Sequence, residues 1–148
     1  MIGNGRAITE VSIRSNPEYL ERIRKVIDCL SDHAGMDSRE CYDTKLAITE
    51  ACANAIRHGS PNHLSDRVTI RLSSTSGTLV AEVTDLGDGF DPGGTLKSEL
   101  LEPGGFGIPL MKALTDEVEF VKNGGGTTVR LVKRARRPRR PRCAKKLR

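Results

Sequence analysis

Three polar side chains recur every four residues in one segment of the chain, at Glu50, Asn54 and His58. If this segment is helical, positions i, i+4 and i+8 lie on one face, so the three side chains form a single stripe. A carboxylate and an amide oxygen one turn apart suit a hydrated Mg²⁺, which prefers oxygen ligands and usually keeps several waters beside substrate phosphates. The alternative is a solvated helix face, and the spacing alone leaves both open. We assign His58 a structural role, in capping the helix or packing against a hairpin.

An aspartate and two glycines follow directly on a predicted strand, at Asp85, Gly87 and Gly89. An aspartate at a strand end can accept a hydrogen bond from an exocyclic amine such as that of adenine. The glycines let the backbone turn tightly and approach a flat ring without a side-chain clash. A simple surface turn is the alternative. An EF-hand calcium loop is excluded, because its ligand positions and its closing glutamate are not in place.

Two further glycine-bearing segments could complete a nucleotide site. Gly105 and Gly107 lie at the predicted start of a helix, where free backbone N–H groups form an anion site and glycine admits a phosphate. The Walker A motif G-x-x-x-x-G-K-[ST] does not occur in the chain, which excludes a P-loop protein. Thr127 opens the last predicted strand, where its hydroxyl could support Asp85 directly or through a water. A β-branched residue suited to a strand is the other interpretation of Thr127.

The spacing of apolar and turn residues predicts the elements that carry these groups. Asn16 and Pro17 are typical of a helix start, and Gly35 marks the end of that helix. Asp37 or Ser38 caps the second helix. The predicted order is edge strand 8–13, helix 17–35, helix 38–58, strand 68–72, strand 79–84, helix 108–114, strand 118–121 and strand 127–132. Strands paired in hairpins, with the helices grouped elsewhere, indicate an α+β sandwich with helices on one face.

The charge is unevenly distributed along the 148 residues, which suffice for one domain with an ordinary core. Residues 1–133 contain 15 basic and 19 acidic residues, a formal charge of −4, whereas residues 134–148 contain nine Lys or Arg and no acid, a charge of +9. We therefore predict a domain over residues 1–133 and a basic, disordered tail over residues 134–148. The tail could contact nucleic acid, an anionic membrane or an acidic partner. Because it has no interleaved aromatic residues and no recognised binding motif, we interpret it as a solvated tail and do not expect direct nucleic-acid binding.

The sequence also bears on location and on metal binding. No apolar run approaches the ~18 residues needed to cross a bilayer, and the first ten residues lack the layout of a signal peptide. We expect a cytoplasmic protein with no membrane partner. The four cysteines are widely spaced and form no C-x-x-C pair. Cys29, Cys41 and Cys52 are interpreted as small buried hydrophobes, and no zinc site is expected.

The four motifs occur in one order: E-x-x-x-N-x-x-x-H, D-x-G-x-G, G-x-G and G-T. In this combination the sequence resembles the GHKL ATPase superfamily over about residues 7–133. Segment 49–59, which reads Thr-Glu-Ala-Cys-Ala-Asn-Ala-Ile-Arg-His-Gly, is similar to the N box of bacterial anti-sigma factor serine/threonine kinases. Segments 105–111 and 126–131 resemble the rest of that subfamily. The resemblance implies the Bergerat ATP-binding fold, a two-layer α/β sandwich with a mixed, mostly antiparallel sheet.

The resemblance also implies a role for each site residue. ATP and Mg²⁺ would be the cofactors, with Asn54 holding the Mg²⁺ at the phosphates. Glu50 would be the catalytic residue, as general base on the hydroxyl of a protein serine or threonine or by ordering the attacking group. Asp85 would bind the adenine amine, and residues 91–105 would form a lid over the phosphates. The remaining nucleotide contacts would come from Gly87, Gly89, Gly105, Gly107 and Thr127.

By the same resemblance, the protein would be an ATP-dependent anti-sigma factor and a serine/threonine-protein kinase. It would form a homodimer, bind a sigma factor and phosphorylate a serine or threonine of an anti-anti-sigma (STAS-type) antagonist. Kinases of this subfamily often carry an arginine just before the glycine turn of the lid, where this chain has Pro103. That departure favours a nucleotide-gated protein-binding module without phosphotransfer as one alternative. The other is a detached histidine-kinase ATP-binding domain.

Overall fold

The computed structural model describes residues 5–14, 16–58, 67–85, 107–123 and 126–142. Every element expected from the sequence is confirmed, with ends that differ by a few residues. The strands are β1 (Ala7–Arg14), β2 (Arg67–Thr75), β3 (Thr78–Thr84), β4 (Glu117–Asn123) and β5 (Gly126–Arg134), and the helices are α1 (Leu20–His33), α2 (Ser38–His58) and α3 (Gly107–Leu114). In the part of the chain that the structure describes, no helix has the length and apolarity to cross a bilayer.

The sequence signals for the first helix start a 3₁₀ turn, and the α-helix itself begins three residues later, at Leu20, with no side-chain cap of its own among the described residues. The Asn16 side chain accepts a hydrogen bond from Glu18 N at 3.0 Å, and Pro17 opens a 3₁₀ turn, Pro17–Tyr19, that leads into α1. Gly35 follows the helix with φ of +80°, a left-handed conformation that favours glycine. The inward stripe of α1 consists of Leu20, Ile23, Ile27 and Leu30, all buried. Burying each of these side chains contributes about 1.5–3 kcal/mol relative to leaving it exposed.

A capping box starts the second helix. Asp37 Oδ1 accepts a hydrogen bond from Glu40 N at 2.8 Å, and Glu40 Oε1 accepts one from Asp37 N at 3.1 Å. Of the two caps that the sequence allows, Asp37 is therefore the one used. The burial predicted for three cysteines holds fully for one of them: Cys52 on α2 is buried, whereas Cys41 on α2 and Cys29 on α1 are only partly buried.

The five strands form one sheet in the order β1-β2-β3-β5-β4. All four pairings are antiparallel, so the mixed sheet that the resemblance implied is fully antiparallel over the described strands. The strands of the hairpins β2–β3 and β4–β5 must run in opposite directions. The longer connection from β1 to β2, and the path from β3 through β4 to β5, also reverse the chain direction, so no parallel pair arises among the described strands. β1 is an edge strand, as predicted. All the helices of the described chain pack against one face of the sheet, which confirms the α+β sandwich.

The opposite face of the sheet is open and carries a row of alternating charge, which we call the charge row. It consists of one residue from each strand, paired directly with its neighbours in register: Glu10, Arg71, Glu82, Arg130 and Glu119. Opposite charges at directly paired positions stabilise an antiparallel pairing. The charge row therefore favours the observed register at all four strand pairs.

The basic tail differs from the disorder expected of it. Residues 135–142 follow a defined path on the domain, because their backbone N–H groups donate to fixed acceptors. The pairs are Ala135 N to Gly77 O (2.8 Å), Arg136 N to Glu40 Oε2 (2.8 Å), Arg139 N to Gly35 O (2.8 Å) and Arg142 N to Asp32 Oδ2 (2.9 Å). Composition could not indicate this path, since the bonds use backbone groups that every residue except proline carries. Residues 143–148 lie outside the described residues.

Candidate nucleotide-binding site

The polar stripe on α2 is buried at its centre. Asn54 is only 1% exposed, and Glu50, one turn before it, is partly exposed. This burial rules out a fully solvated stripe, because a solvated asparagine would not be enclosed. His58 is the last residue of α2, and its side chain lies outside what the structure describes.

The Asn54 amide is only partly satisfied within the described chain. Its Oδ1 accepts a hydrogen bond from Arg57 Nη2 at 3.1 Å, and its buried Nδ2 has no partner among the described residues. A buried polar group without a partner costs about 1–3 kcal/mol, so a ligand that pairs with this amide recovers that energy. A half-turn of the amide exchanges its two ends, so the same side chain can direct oxygen or nitrogen toward a ligand. Sequence reasoning missed Arg57, although its i+3 spacing from Asn54 was a usable signal.

Asp85 and Thr127 meet where β3 ends and β5 begins. Asp85 N donates to Thr127 O at 3.0 Å, and Thr127 N donates to Asp85 Oδ1 at 3.3 Å. The two residues are 4% and 0% exposed. The sequence predicted support from the Thr127 hydroxyl, whereas the direct contact runs through the backbone amide. The hydroxyl itself is buried and has no partner among the described residues.

Both residues face the helices rather than the open side of the sheet. Leu79, Ala81 and Val83 are buried on the helix side of β3, and Asp85 is the next residue in that alternation. Thr127 precedes the buried Val129 in the same way on β5. Since α2 packs against both strands, Asp85 and Thr127 lie in the layer between α2 and the sheet, and Asn54 is buried on that same helix.

The glycines expected at the phosphates are described only in part. Gly107 is the first residue of α3, as predicted. This helix packs against α2, and its Ile108 and Met111 are fully buried. Gly87, Gly89 and Gly105 lie outside the described residues, as do the lid segment and Pro103. Their roles stay predictions.

The described residues fit an adenine nucleotide with Mg²⁺. The buried Asp85 carboxylate is an acceptor for an exocyclic amine, and the buried Thr127 hydroxyl can both donate to and accept from a ligand. The oxygens of Asn54 and Glu50 are of the type that Mg²⁺ prefers. In the part of the chain that the structure describes, four buried side-chain atoms have no partner: Asn54 Nδ2, Thr127 Oγ1, and, away from the layer between α2 and the sheet, Ser31 Oγ and Thr49 Oγ1. A polar ligand in this layer would pair with the first two.

A buried aspartate at the β3–β5 junction, a buried asparagine on the facing helix and a one-sided antiparallel sheet define an ATP-binding domain of the GHKL type. The sequence agrees: residues 13–133 match the family described as histidine kinase-like ATPase domain, and the chain belongs to this family. The superfamily resemblance drawn from the four motifs is thereby confirmed.

Relatives of known name match along most of their length. The serine-protein kinase RsbW of Bacillus subtilis strain 168 is 32% identical, over 88% of this chain and 87% of the relative. The serine-protein kinase RsbW of Staphylococcus aureus strain JH9 is 28% identical, over 80% of this chain and 81% of the relative. These names agree with the subfamily that segment 49–59 indicated.

Two solved structures share the fold. The RsbU and RsbW domains of Rv1364c from Mycobacterium tuberculosis superpose with a TM-score of 0.67 at 21% identity, over 90% of this chain and 34% of that one. A histidine kinase domain from Erythrobacter litoralis EL346 superposes with a TM-score of 0.51 at 23% identity, over 91% of this chain and 64% of that one. At such identities the two likenesses bear on the fold alone.

Proposed function

We propose that this protein is an ATP-dependent serine/threonine-protein kinase that acts as an anti-sigma factor. In this proposal it binds a sigma factor as a homodimer and phosphorylates a serine or threonine of an anti-anti-sigma antagonist of the STAS type. The observation that carries the proposal is the buried Asn54, one turn after Glu50, in a chain that aligns with named serine-protein kinases over most of their length.

In this proposal the described residues supply the adenine contacts, a ligand for Mg²⁺ and the general base. Asp85 and Thr127 hold the adenine end, and Asn54 lies on the helix that faces them. The partly exposed Glu50 takes the proton of the substrate hydroxyl while the oxygen of that hydroxyl forms a bond to the γ-phosphorus. The bond from the γ-phosphorus to the bridging oxygen breaks, and ADP leaves. Mg²⁺, held by Asn54 and the phosphates, would neutralise the charge that develops on the phosphate oxygens.

Pro103 supports a second candidate function, a nucleotide-gated binding module. The lid of related kinases often supplies an arginine at this place, and proline carries no charge. Loss of a cation that stabilises the transition state can slow phosphoryl transfer by ~10³-fold or more. In this second function, nucleotide occupancy changes the affinity for a partner without transfer of phosphate.

The deciding experiment is phosphotransfer to a candidate antagonist. The purified protein is incubated with Mg-ATP and the antagonist encoded beside it, and intact-mass spectrometry measures phosphate on the antagonist. Glu50→Gln and Asn54→Ala are run in parallel, with Glu119→Gln as a matched control because Glu119 is an exposed glutamate on β4, away from the site. ATP binding is measured separately by isothermal titration calorimetry.

The kinase proposal predicts phosphorylation by the wild type and by Glu119→Gln, and none by Asn54→Ala. Glu50→Gln should bind ATP and transfer phosphate slowly or not at all. ATP binding without any phosphate transfer by the wild type would replace the kinase with the binding module. Failure to bind either ATP or ADP would refute both functions.

A further inference from the structure

The described part of the basic tail contains a three-residue repeat. Residues 136–142 read Arg-Arg-Pro-Arg-Arg-Pro-Arg. We call this segment the arginine strip. A polyproline II helix, the extended conformation favoured by proline-rich segments, also turns once every three residues. Residues 136, 139 and 142 therefore fall on one side of such a strip, and residues 137 and 140 fall on another.

The backbone anchors follow the same period. Within the arginine strip, the N–H groups that donate to the domain are those of Arg136, Arg139 and Arg142. The backbone of the strip packs closely against Gly35, where a Cβ would lie only 2.5 Å from the carbonyl oxygen of Arg139. One side of the strip is thus fixed to the α1–α2 connection by main-chain contacts. The backbone of the strip is therefore already ordered in the free protein.

The guanidinium groups are left uncompensated by this arrangement. All five arginines of the strip are exposed. Among the described residues, none of the five forms an ion pair with a carboxylate. The carboxylates of Asp32 and Glu40 accept from backbone N–H groups of the strip. The domain therefore binds the main chain of the strip and presents its positive side chains to solvent.

We propose that the arginine strip is a binding surface for the phosphate backbone of nucleic acid. At the ~3.1 Å per residue of a polyproline II helix, five charges over seven residues give roughly one positive charge per 4 Å, and the bends at Arg136, Arg137 and Arg142 shorten this span further. One DNA strand carries a phosphate about every 3.4 Å along the helix axis, so the two charge densities are close. Arginine also matches phosphate geometrically, because its planar fork donates two parallel hydrogen bonds.

The sustained charge density is the feature that favours a phosphate backbone, and the remaining features describe how the strip would bind it. All the charged residues of the strip are arginine, and the density of its charge is sustained, as on a phosphate backbone. The strip has no aromatic residue on which an unpaired base could stack, so a duplex backbone fits it better than a single strand. A pre-seated strip also loses less conformational entropy on binding than a disordered tail would. This inference does not depend on the kinase proposal.

The test is binding of the full-length protein to a short, fluorescein-labelled DNA duplex of mixed sequence, followed by anisotropy between about 50 and 200 mM KCl. The test variant is Arg137→Ala/Arg140→Ala, which removes two guanidiniums but none of the backbone anchors. The matched control is Arg22→Ala/Lys25→Ala, which removes the same charge from exposed positions of α1. Thermal unfolding by circular dichroism checks that all variants are folded.

The proposal predicts a slope of log Kobs against log [KCl] of about −4.5 for the wild type, from five phosphate contacts at −0.9 each. The double variant should give about −2.7 and bind roughly 60-fold more weakly at 0.1 M salt, if the two contacts act mainly through counterion release. The control pair should keep the wild-type slope. Asn54→Ala should also bind DNA as the wild type does, whatever its kinase activity.

Three results would overturn the proposal. The first is no binding to the duplex at the lowest salt. The second is an equal loss in the α1 control pair, which would make the effect one of net charge. The third is tighter binding to poly-glutamate, or to phosphatidylcholine vesicles containing phosphatidylserine, than to the duplex; the strip would then serve an acidic protein or a membrane surface.

Discussion

Thr127→Val is expected to separate nucleotide binding from folding. The Thr127 hydroxyl is fully buried and has no partner among the described residues, although the backbone of the same residue pairs with Asp85. Valine keeps the branched shape and the backbone contacts and replaces the hydroxyl with a methyl group. The variant should therefore lose a ligand contact without losing one that the free domain uses.

The magnitudes follow from the cost of burying a hydroxyl. An unpaired buried polar group costs about 1–3 kcal/mol, and valine removes that cost. We therefore expect the free energy of unfolding without nucleotide to stay the same or to rise by about 1–2 kcal/mol. A ligand that pairs with the hydroxyl recovers that same ~1–3 kcal/mol, so the Kd for ATP should rise by about 5- to 160-fold in the variant.

The assay pairs urea unfolding of the nucleotide-free protein with calorimetric titration of ATP. Thr128→Val is the matched control, because the Thr128 hydroxyl lies 2.9 Å from that of Thr84 on the open face of the sheet. The control should lose about 0.5–1.5 kcal/mol of stability and keep its ATP affinity. The reasoning is refuted if Thr127→Val is less stable than the wild type while its ATP affinity is unchanged, since the hydroxyl would then be bonded within the free protein.

Three further outcomes are expected. Asp85→Asn should weaken ATP binding by about 10-fold or more in calorimetry, because a charge-assisted hydrogen bond contributes about 1.5–3 kcal/mol; wild-type affinity would contradict its adenine role. Burial raises the pKa of Cys52 from 9.0 to about 12. Because the unfolded thiol ionises first, the stability that this thiol contributes should be constant below pH 9.0 and fall as the pH rises toward 12, and Cys52→Ala should show a shallower fall in urea titrations over that range. Glu40→Ala removes the carboxylate that accepts from Asp37 N at the cap of α2 and from Arg136 N, so the free energy of unfolding should drop by about 1–3 kcal/mol. Hydrogen exchange of the Arg136 amide should become faster in this variant; an unchanged exchange rate would contradict the bond from Arg136 N to Glu40.

The elements were predictable from sequence because their signals are local. Asn16 with Pro17, and Asp37 as a cap, are signals that act within one helical turn; the first starts the 3₁₀ turn before α1, and the second is confirmed as the cap of α2. The reciprocal bond, in which Glu40 accepts from Asp37 N, was not predicted. The hairpins were set by polar turns between apolar runs. The ordering of strands was not local: β3 pairs with β5 rather than with β4. No residue pattern within β3, β4 or β5 predicts which of the other two strands β3 pairs with.

The site residues could be chosen from their types and spacing, but their contacts could not. Asp85 and Thr127 were grouped as one adenine site, and the strand order indeed brings them together. The atoms that meet are a carboxylate and a backbone amide, which carries no sequence signature. The anchoring of the arginine strip was missed for the same reason. The burial of Asn54 depends on how α2 packs against the sheet, a tertiary property that helical spacing leaves undetermined.

The charge row on the open face has a consequence for assembly. Because five strands alternate in sign, both edge strands carry the same charge, Glu10 on β1 and Glu119 on β4. Two sheets that met edge to edge with these rows aligned would place carboxylate against carboxylate, whichever edges were joined, and like charges directly opposite destabilise a pairing. The odd strand number thus guards against open-ended fibre growth in that register. A homodimer in which the two sheets join edge to edge, with their charge rows aligned, is therefore disfavoured. A homodimer of this protein would have to use other surfaces or another register.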